Sequence, residues 1–384
     1  MNARVQRRHV FFVSGFDPKG AGWYHALYAR NAAAQAGITG CRYEVGPRRR
    51  GDDGNATWTI RQTGADGTAD TTYEYVRWDD LVRAHWPRRA LDVALAALAT
   101  YWAMLRSGRL AQVHGAAPRT LVPLAFPALF WLSILLLAVV AGAAVVAWLP
   151  AGLLPRVLAA LALSAVLVAA ALAWERSLHT SWLLRIYRFA HLHAMGEVQG
   201  LDERLDRLAR RIDEKVRDQA IDEVLVVGFS VGSILAVSAA ARAAERGAPL
   251  SGRLSLLTLG HCIPLLGLMP AATRFRAELA RLAREEGVSW IDFSSPTDWG
   301  SFALVDPVPL CLGAAAPPPG DRRFVSPRFH ALFAPATYHA LRRDKRRMHL
   351  QYLMAGERDG GYDYFALTAG PLPLRAHGGT GVPA

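Results

Sequence analysis

The residues best suited to covalent chemistry lie in IDEVLVVGFSVGSILAVSAAARAA, where Gly228-Phe229-Ser230-Val231-Gly232 forms a G-x-S-x-G pentapeptide. A serine hydroxyl attacks a carbonyl when a base takes its proton and fixed donors receive the charge that develops on the carbonyl oxygen. The five letters alone say little, because Gly and Ser are common. Their flanks say more. A fully apolar strand runs in and a small-residue helix runs out, the strand–turn–helix setting of an exposed nucleophile. Gly228 and Gly232 remove side chains where strand and helix would collide. Ser233 and Ala236 keep the helix close to the sheet. Ser230 also sits near a helix N-terminus, whose positive end favours negative charge.

This arrangement resembles the α/β-hydrolase superfamily, which includes serine esterases and lipases. The resemblance covers the chain outside a long apolar insertion, and only the elbow around Ser230 is specific. It implies catalytic residues in the chain order serine, acid, histidine. It also implies an oxyanion hole made from the backbone N–H after the nucleophile and a second N–H at an early strand–loop junction. Val231 then supplies the first donor. The junction FFVSGFDPKGAGW supplies the second through Phe16, with Gly15 allowing close approach of a substrate. Ser14-Gly15 stands where many such hydrolases carry His-Gly, a departure that a backbone donor tolerates.

The acid is expected after the strand Val288–Phe293, in SSPTDWGSFALVDPVPL. Asp298 is preferred, just past the strand end; Asp306, in an Asp-Pro-Val loop, is the alternative. Asp292 lies inside the strand. The base is expected after a last strand, read as Phe324–Phe333 with an interruption at Pro327. His349 in RRMHLQYLMAG is preferred because an apolar, helix-like run follows it, and an intervening helix must then bridge its distance from the strand. His339 in ATYHALRR is the alternative, while His330 falls in the strand and His377 in the tail. His261 in TLGHCIPLLG precedes the acid and is expected to line the pocket. The implied reaction is acyl transfer to Ser230 and then to water, with no metal or organic cofactor.

The elements that must position these residues follow from patterning. The chain has 384 residues, 52% hydrophobic and 20% charged, more apolar than an average soluble domain. No charge occurs between Arg119 and Arg156, and LVPLAFPALFWLSILLLAVVAGAAVVAWLP is long enough to cross a bilayer. A turn at Pro150–Pro155 leads to a second apolar run, Val157–Trp174. Two helices so joined form a hairpin with both outer ends on one side. Those ends carry Arg106, Arg109 and Arg119, then Arg176, Arg185 and Arg188, which places them in the cytoplasm of a bacterial-type plasma membrane. Trp131, Trp148 and Trp174 are candidate interface anchors.

The fold class expected is α/β: a mostly parallel sheet with helices on both faces, plus an inserted two-helix transmembrane hairpin. Residues 1–86 form the first part of the hydrolase domain, with a strand at His9–Ser14, a helix near Gly22–Ala36, and β-rich pieces at Cys41–Gly46, Thr57–Gln62 and Thr71–Val76. The last two flank GADGTAD and read as an antiparallel hairpin. Residues 87–178 hold an amphipathic helix and the membrane hairpin, about 121–149 and 157–174. Residues 179–375 form the second part of the domain. Its helix 201–216 has one apolar stripe, and alternating strands and helices then run from Val224 to Phe293, with one helix over Thr273–Glu286 closed by Gly287. Residues 376–384 form a flexible tail.

The net charge of +12 fits attraction to anionic headgroups, or an Arg-rich genome. No nucleic-acid recognition motif accompanies it, so no nucleic-acid partner is expected. Cys41, Cys262 and Cys311 are too scattered for a metal site or disulfide framework. The N-terminal sequence has no signal-peptide pattern. The bilayer is the expected partner, and a hydrophobic, lipid-like ester the expected substrate. Two other functions stay open: an acyltransferase, and a non-catalytic membrane scaffold or regulator that keeps the fold.

Overall fold

A computed structural model describes residues 4–377, except 52, 87–89, 107, 109–113, 116–117, 119–120, 179, 248–249 and 251. Nine strands among these residues join in one sheet: β1 (Arg7–Val13), β2 (Arg42–Val45), β3 (Arg49–Arg50), β4 (Ala56–Gly64), β5 (Gly67–Tyr75), β6 (Glu223–Phe229), β7 (Leu254–Leu259), β8 (Ser289–Phe293) and β9 (Arg322–Val325). The order across the sheet is β2-β4-β5-β1-β6-β7-β8-β9, with β3 pairing β4. From β5 to β9 every neighbouring pair is parallel, whereas β4 runs antiparallel to β5, β2 and β3. The expected β4–β5 hairpin is present, closed where Gly64 pairs with Gly67.

The central strands read as unbroken apolar runs because both their faces are covered. In β1, Val10 and Phe12 face one core with Tyr24, Leu27 and Tyr28 of the Ala21–Thr39 helix. Phe11 and Val13 face the other core, with the Gly232–Glu245 and Leu201–Arg217 helices. From β1 the chain turns to one face and builds β2 to β5 on one side. From β6 it turns to the opposite face and builds β7 to β9 on the other side. The carboxyl ends of β1 and β6 therefore flank a topological switch point, the crevice in which open α/β sheets place their ligands.

Two long apolar helices stand out from this body. Leu121–Trp148 has 28 residues, and Leu153–Glu175 gives a second span of 23. At about 1.5 Å per residue each covers a hydrocarbon core of about 30 Å. Their surfaces carry exposed Leu132, Leu135, Leu136, Val139, Leu158, Leu161 and Val166. They meet along small residues: a Cβ on Gly142 would lie 3.6–3.7 Å from Ser164 and Ala160, and Ser164 Oγ donates to the Ala138 carbonyl. Arg156 donates to the Ala151 and Val146 carbonyls, capping the end of the first helix. At the other end, Pro127 has no N–H to give the Pro123 carbonyl. The Tyr187 hydroxyl takes that acceptor instead, at 3.0 Å. Tyr187 belongs to the Thr180–Met195 helix, which continues the second apolar helix back onto the sheet domain.

The C-terminal third departs from the sequence reading. The segment expected as one strand, Phe324–Phe333, splits into β9 (Arg322–Val325) and a helix, Phe329–Leu332. Pro327 cannot donate to a ladder, and Arg328 then takes φ +46 and turns the chain. His330 consequently lies exposed on that helix instead of in a strand. The helix expected over Thr273–Glu286 ends at Leu282. In the tail, Arg323 donates to the His377 carbonyl at 2.8 Å; residues 378–384, like Arg109 and Arg119, lie outside the described residues.

Candidate active site

Ser230 is the junction residue between β6 and the Gly232–Glu245 helix, with φ +55. A side chain in the left-handed region costs about 1 kcal/mol or more and persists only when its surroundings impose it. Here they do. Ser230 N–H donates to the Leu259 carbonyl at 2.9 Å, and the Ser233 N–H and hydroxyl both donate to the Ser230 carbonyl. The flanking glycines leave no alternative path. A Cβ on Gly228 would sit 2.6 Å from Ser233 Cα, and one on Gly232 would run into the Val13 and Ser14 carbonyl oxygens. The elbow is thus wedged against the end of β1.

The loop after β1 closes over it. A Cβ on Gly15 would come 3.1 Å from Ser230 Cβ, so a larger residue there would push the loop or the serine back by a few tenths of an ångström. Trp78 Nε1 donates to both the carbonyl and the hydroxyl of Ser14, and the Tyr75 hydroxyl lies 3.2 Å from the same Ser14 Oγ. Ser14 is therefore a tie for the loop. The backbone N–H groups of Phe16 and Val231 find no acceptor among the described residues.

Asp298 and His349 are brought together, although 51 positions separate them. Both are buried. His349 Nδ1 lies 3.0 and 2.9 Å from the two Asp298 oxygens. A carboxylate only accepts, so this pairing keeps the imidazole proton on Nδ1 and leaves a lone pair on Nε2. Asp298 also accepts from the Gly300 N–H at 2.8 Å and the Tyr352 hydroxyl at 3.0 Å. Burial pushes the Tyr352 hydroxyl well above the usual tyrosine range, so it stays a donor. Gly300 must be glycine, since its Cβ would meet His349 Nδ1 at 2.7 Å. Two short helices, Phe329–Leu332 and Pro335–Arg343, bridge the distance from β9, and His349 lies within a third, Lys345–Leu350.

His349 Nε2 is buried and has no hydrogen-bond partner among the described residues. Ser230 Oγ instead faces Cys262 Sγ at 3.7 Å. That sulfur lies 3.0 Å from the carbonyl of Gly300, the residue packed on His349. The Phe229 ring packs tilted against the His349 ring, 4.9 Å between centroids. Phe229, which precedes Ser230, and Cys262, through Gly300, thus link the serine to the histidine, and no hydrogen bond joins the two among the described residues. Burial pushes the Cys262 thiol up to about 12, so it is no rival nucleophile at neutral pH.

The other candidates fall elsewhere. Asp306 accepts from Val308 N–H as the N-cap of the Pro307–Leu312 helix and lies 3.5 Å from Arg322. His339 is exposed on the Pro335–Arg343 helix. His261 is fully buried between β7 and β8, with Nε2 donating to the Val305 carbonyl and 4.0 Å from Asp292. Burial raises the Asp292 carboxyl, and Thr258 donates to it. This second pair braces the loops beside the site.

Tyr352, Cys262 and Trp182 escaped the sequence reading. Tyr352 was findable: it follows His349 by three positions, one helical turn, which puts both side chains toward Asp298. Cys262 and Trp182 gave no signal, because their nearness to Ser230 and His349 arises only from the fold. Among the described residues no group of three His, Cys, Asp or Glu is arranged to hold a metal ion. Comparison with protein-family models, curated proteins and solved structures returns no match.

Proposed function

We propose that this chain is a membrane-anchored serine hydrolase that cleaves an ester through Ser230, His349 and Asp298, of the α/β-hydrolase kind. The observation that carries the reading is a strained serine at the switch point, whose neighbour Phe229 packs on a buried Asp–His pair with an unpartnered Nε2. In the reaction, Ser230 Oγ leaves Cys262 and gives its proton to His349 Nε2 as it bonds the ester carbon. Asp298 holds the imidazole and stabilises its charged form. The N–H groups of Val231 and Phe16 receive the oxyanion, and each such donor is worth roughly 3–4 kcal/mol. His349 then protonates the leaving alcohol as the ester C–O bond breaks. Water, deprotonated by the same nitrogen, releases the acid and restores Ser230. The apolar hairpin fixes this domain to the cytoplasmic face of a plasma membrane.

One observation favours a second reading, a non-catalytic scaffold: Ser230 Oγ bonds Cys262 and not His349. Labelling separates the two. Membranes containing the protein are expected to react with a fluorophosphonate probe at Ser230 and to lose that reaction in Ser230→Ala and His349→Ala. Absence of Ser230-dependent labelling removes the hydrolase reading.

A further inference from the structure

We infer that the substrate is a long-chain acyl ester drawn from the bilayer, admitted at the base of the apolar hairpin beneath the Thr180–Met195 helix. This inference rests on the serine-hydrolase reading and adds the substrate class and its route.

Neither reacting side chain meets water: Ser230 is 2% and His349 3% exposed. Part of what covers them comes from the direct continuation of the hairpin. Trp182, two residues into the Thr180–Met195 helix, stands edge-on to His349 at 5.4 Å between ring centroids. Phe189 of the same helix lies 4.8 Å from Phe16, the loop residue beside Ser230. Phe126, in the first turns of the Leu121–Trp148 helix, stands 5.6 Å from Trp299, the neighbour of Asp298. The hydrogen bond from Tyr187 to the Pro123 carbonyl ties these two helices together. One apolar seam therefore runs from the lipid-facing hairpin to the nucleophile, the base and the acid loop.

The rim of this seam also suits lipid. On the Ala90–Arg106 helix, Leu98, Trp102 and Leu105 are 67%, 59% and 62% exposed. Their spacing of four and three puts them on one face. That helix packs against the Thr180–Met195 helix. Arg106 stacks on Trp102 and Arg185 on Trp86, each 4.8 Å from ring to guanidinium. Tryptophan with arginine at the end of an apolar span is the composition of the headgroup level. An acyl chain standing in the leaflet can follow the seam between Phe126 and Trp182 and bring its ester to Ser230. A water-soluble ester meets a closed wall of rings.

The test uses the full chain in vesicles of phosphatidylcholine and phosphatidylglycerol. p-Nitrophenyl palmitate, dissolved in the bilayer, is compared with p-nitrophenyl acetate in the water, using Ser230→Ala as background. Palmitate is expected to turn over at least about tenfold faster. Trp182→Ala and Phe126→Ala each open the wall and are expected to raise acetate turnover by about tenfold. Phe126→Ala gives the answer even if Trp182→Ala fails to fold. Equal rates for the two esters, with both variants leaving acetate unchanged while Ser230 still labels, overturn the route and leave the hydrolase standing. No labelling and no turnover of either ester removes the hydrolase reading and this inference with it.

Discussion

Ser230 and its partners are held in different ways. The serine is fixed by backbone: a positive φ, two flanking glycines without room for a Cβ, a carbonyl that accepts from Ser233 three residues on, and an N–H given to the Leu259 carbonyl of β7. The Asp298–His349 pair is fixed by side chains from separate loops, with Tyr352 and Gly300 completing the carboxylate's bonds. Local backbone order is written in consecutive letters. Side-chain order across 51 positions is created only when the sheet brings β8 and the segment after β9 together.

Either kind of fixation can be removed by mutation. Ser230→Ala carries the largest expected effect, loss of esterase activity on the order of 10⁶-fold, measured in membranes with a chromogenic ester. Asp298→Asn is expected to cost about 10⁴-fold by favouring the wrong imidazole tautomer. Asp306→Asn retains a side chain able to cap its helix and is expected to leave activity within a few-fold. A large loss in the Asp306 variant instead reassigns the acid. Gly232→Ala strikes the backbone end. Its methyl has no space beside Val13, and a loss of about 3 kcal/mol or more in thermal unfolding is expected.

How much was legible in the sequence follows the same division. The elbow, the β4–β5 hairpin, β7 and the apolar helices could be read because each is a local pattern of period, turn or length. Asp298 and His349 stood out only by chain order, with Asp306 and His339 left as alternatives. The letters do signal that Asp306 caps a helix, since Pro307 follows at its first position, but nothing in them tells that Asp298 meets an imidazole. The run Phe324–Phe333 misled because its apolar residues satisfy a strand and a short helix equally, and Pro327 decides between them. Trp182 could not be placed at all, since it lies in a helix that reads only as an exit from the hairpin.

Two smaller effects are expected. His193, on the helix that covers both halves of the site, is held by burial at about 4, below its ordinary 6.5. Below that ordinary value the unfolded chain binds a proton that the folded chain refuses. Stability is therefore expected to fall as pH drops from about 6.5 to about 4, by roughly 3 kcal/mol in all. His193→Gln is expected to flatten this slope in melts of the detergent-solubilised protein. Last, Tyr352→Phe removes one donor from Asp298 and is expected to slow the ester reaction by about fivefold, roughly 1 kcal/mol. A far larger loss would mean that the pair depends on Tyr352 as the elbow depends on its glycines.

The central strand has a consequence for how the molecule is made. β1 pairs with β5 on one side and with β6 on the other, and the apolar helices lie between those two partners in the chain. A ribosome therefore delivers β1 and β5 first, then both long helices, and only afterwards the strand that bears Ser230. Until then β1 has one unpaired edge waiting. The elbow, which needs Val13 and Ser14 behind it, closes that edge last. On the proposed reading, the newborn chain reaches lipid before it has a nucleophile, so hydrolytic power comes into being where the anchor has already been set.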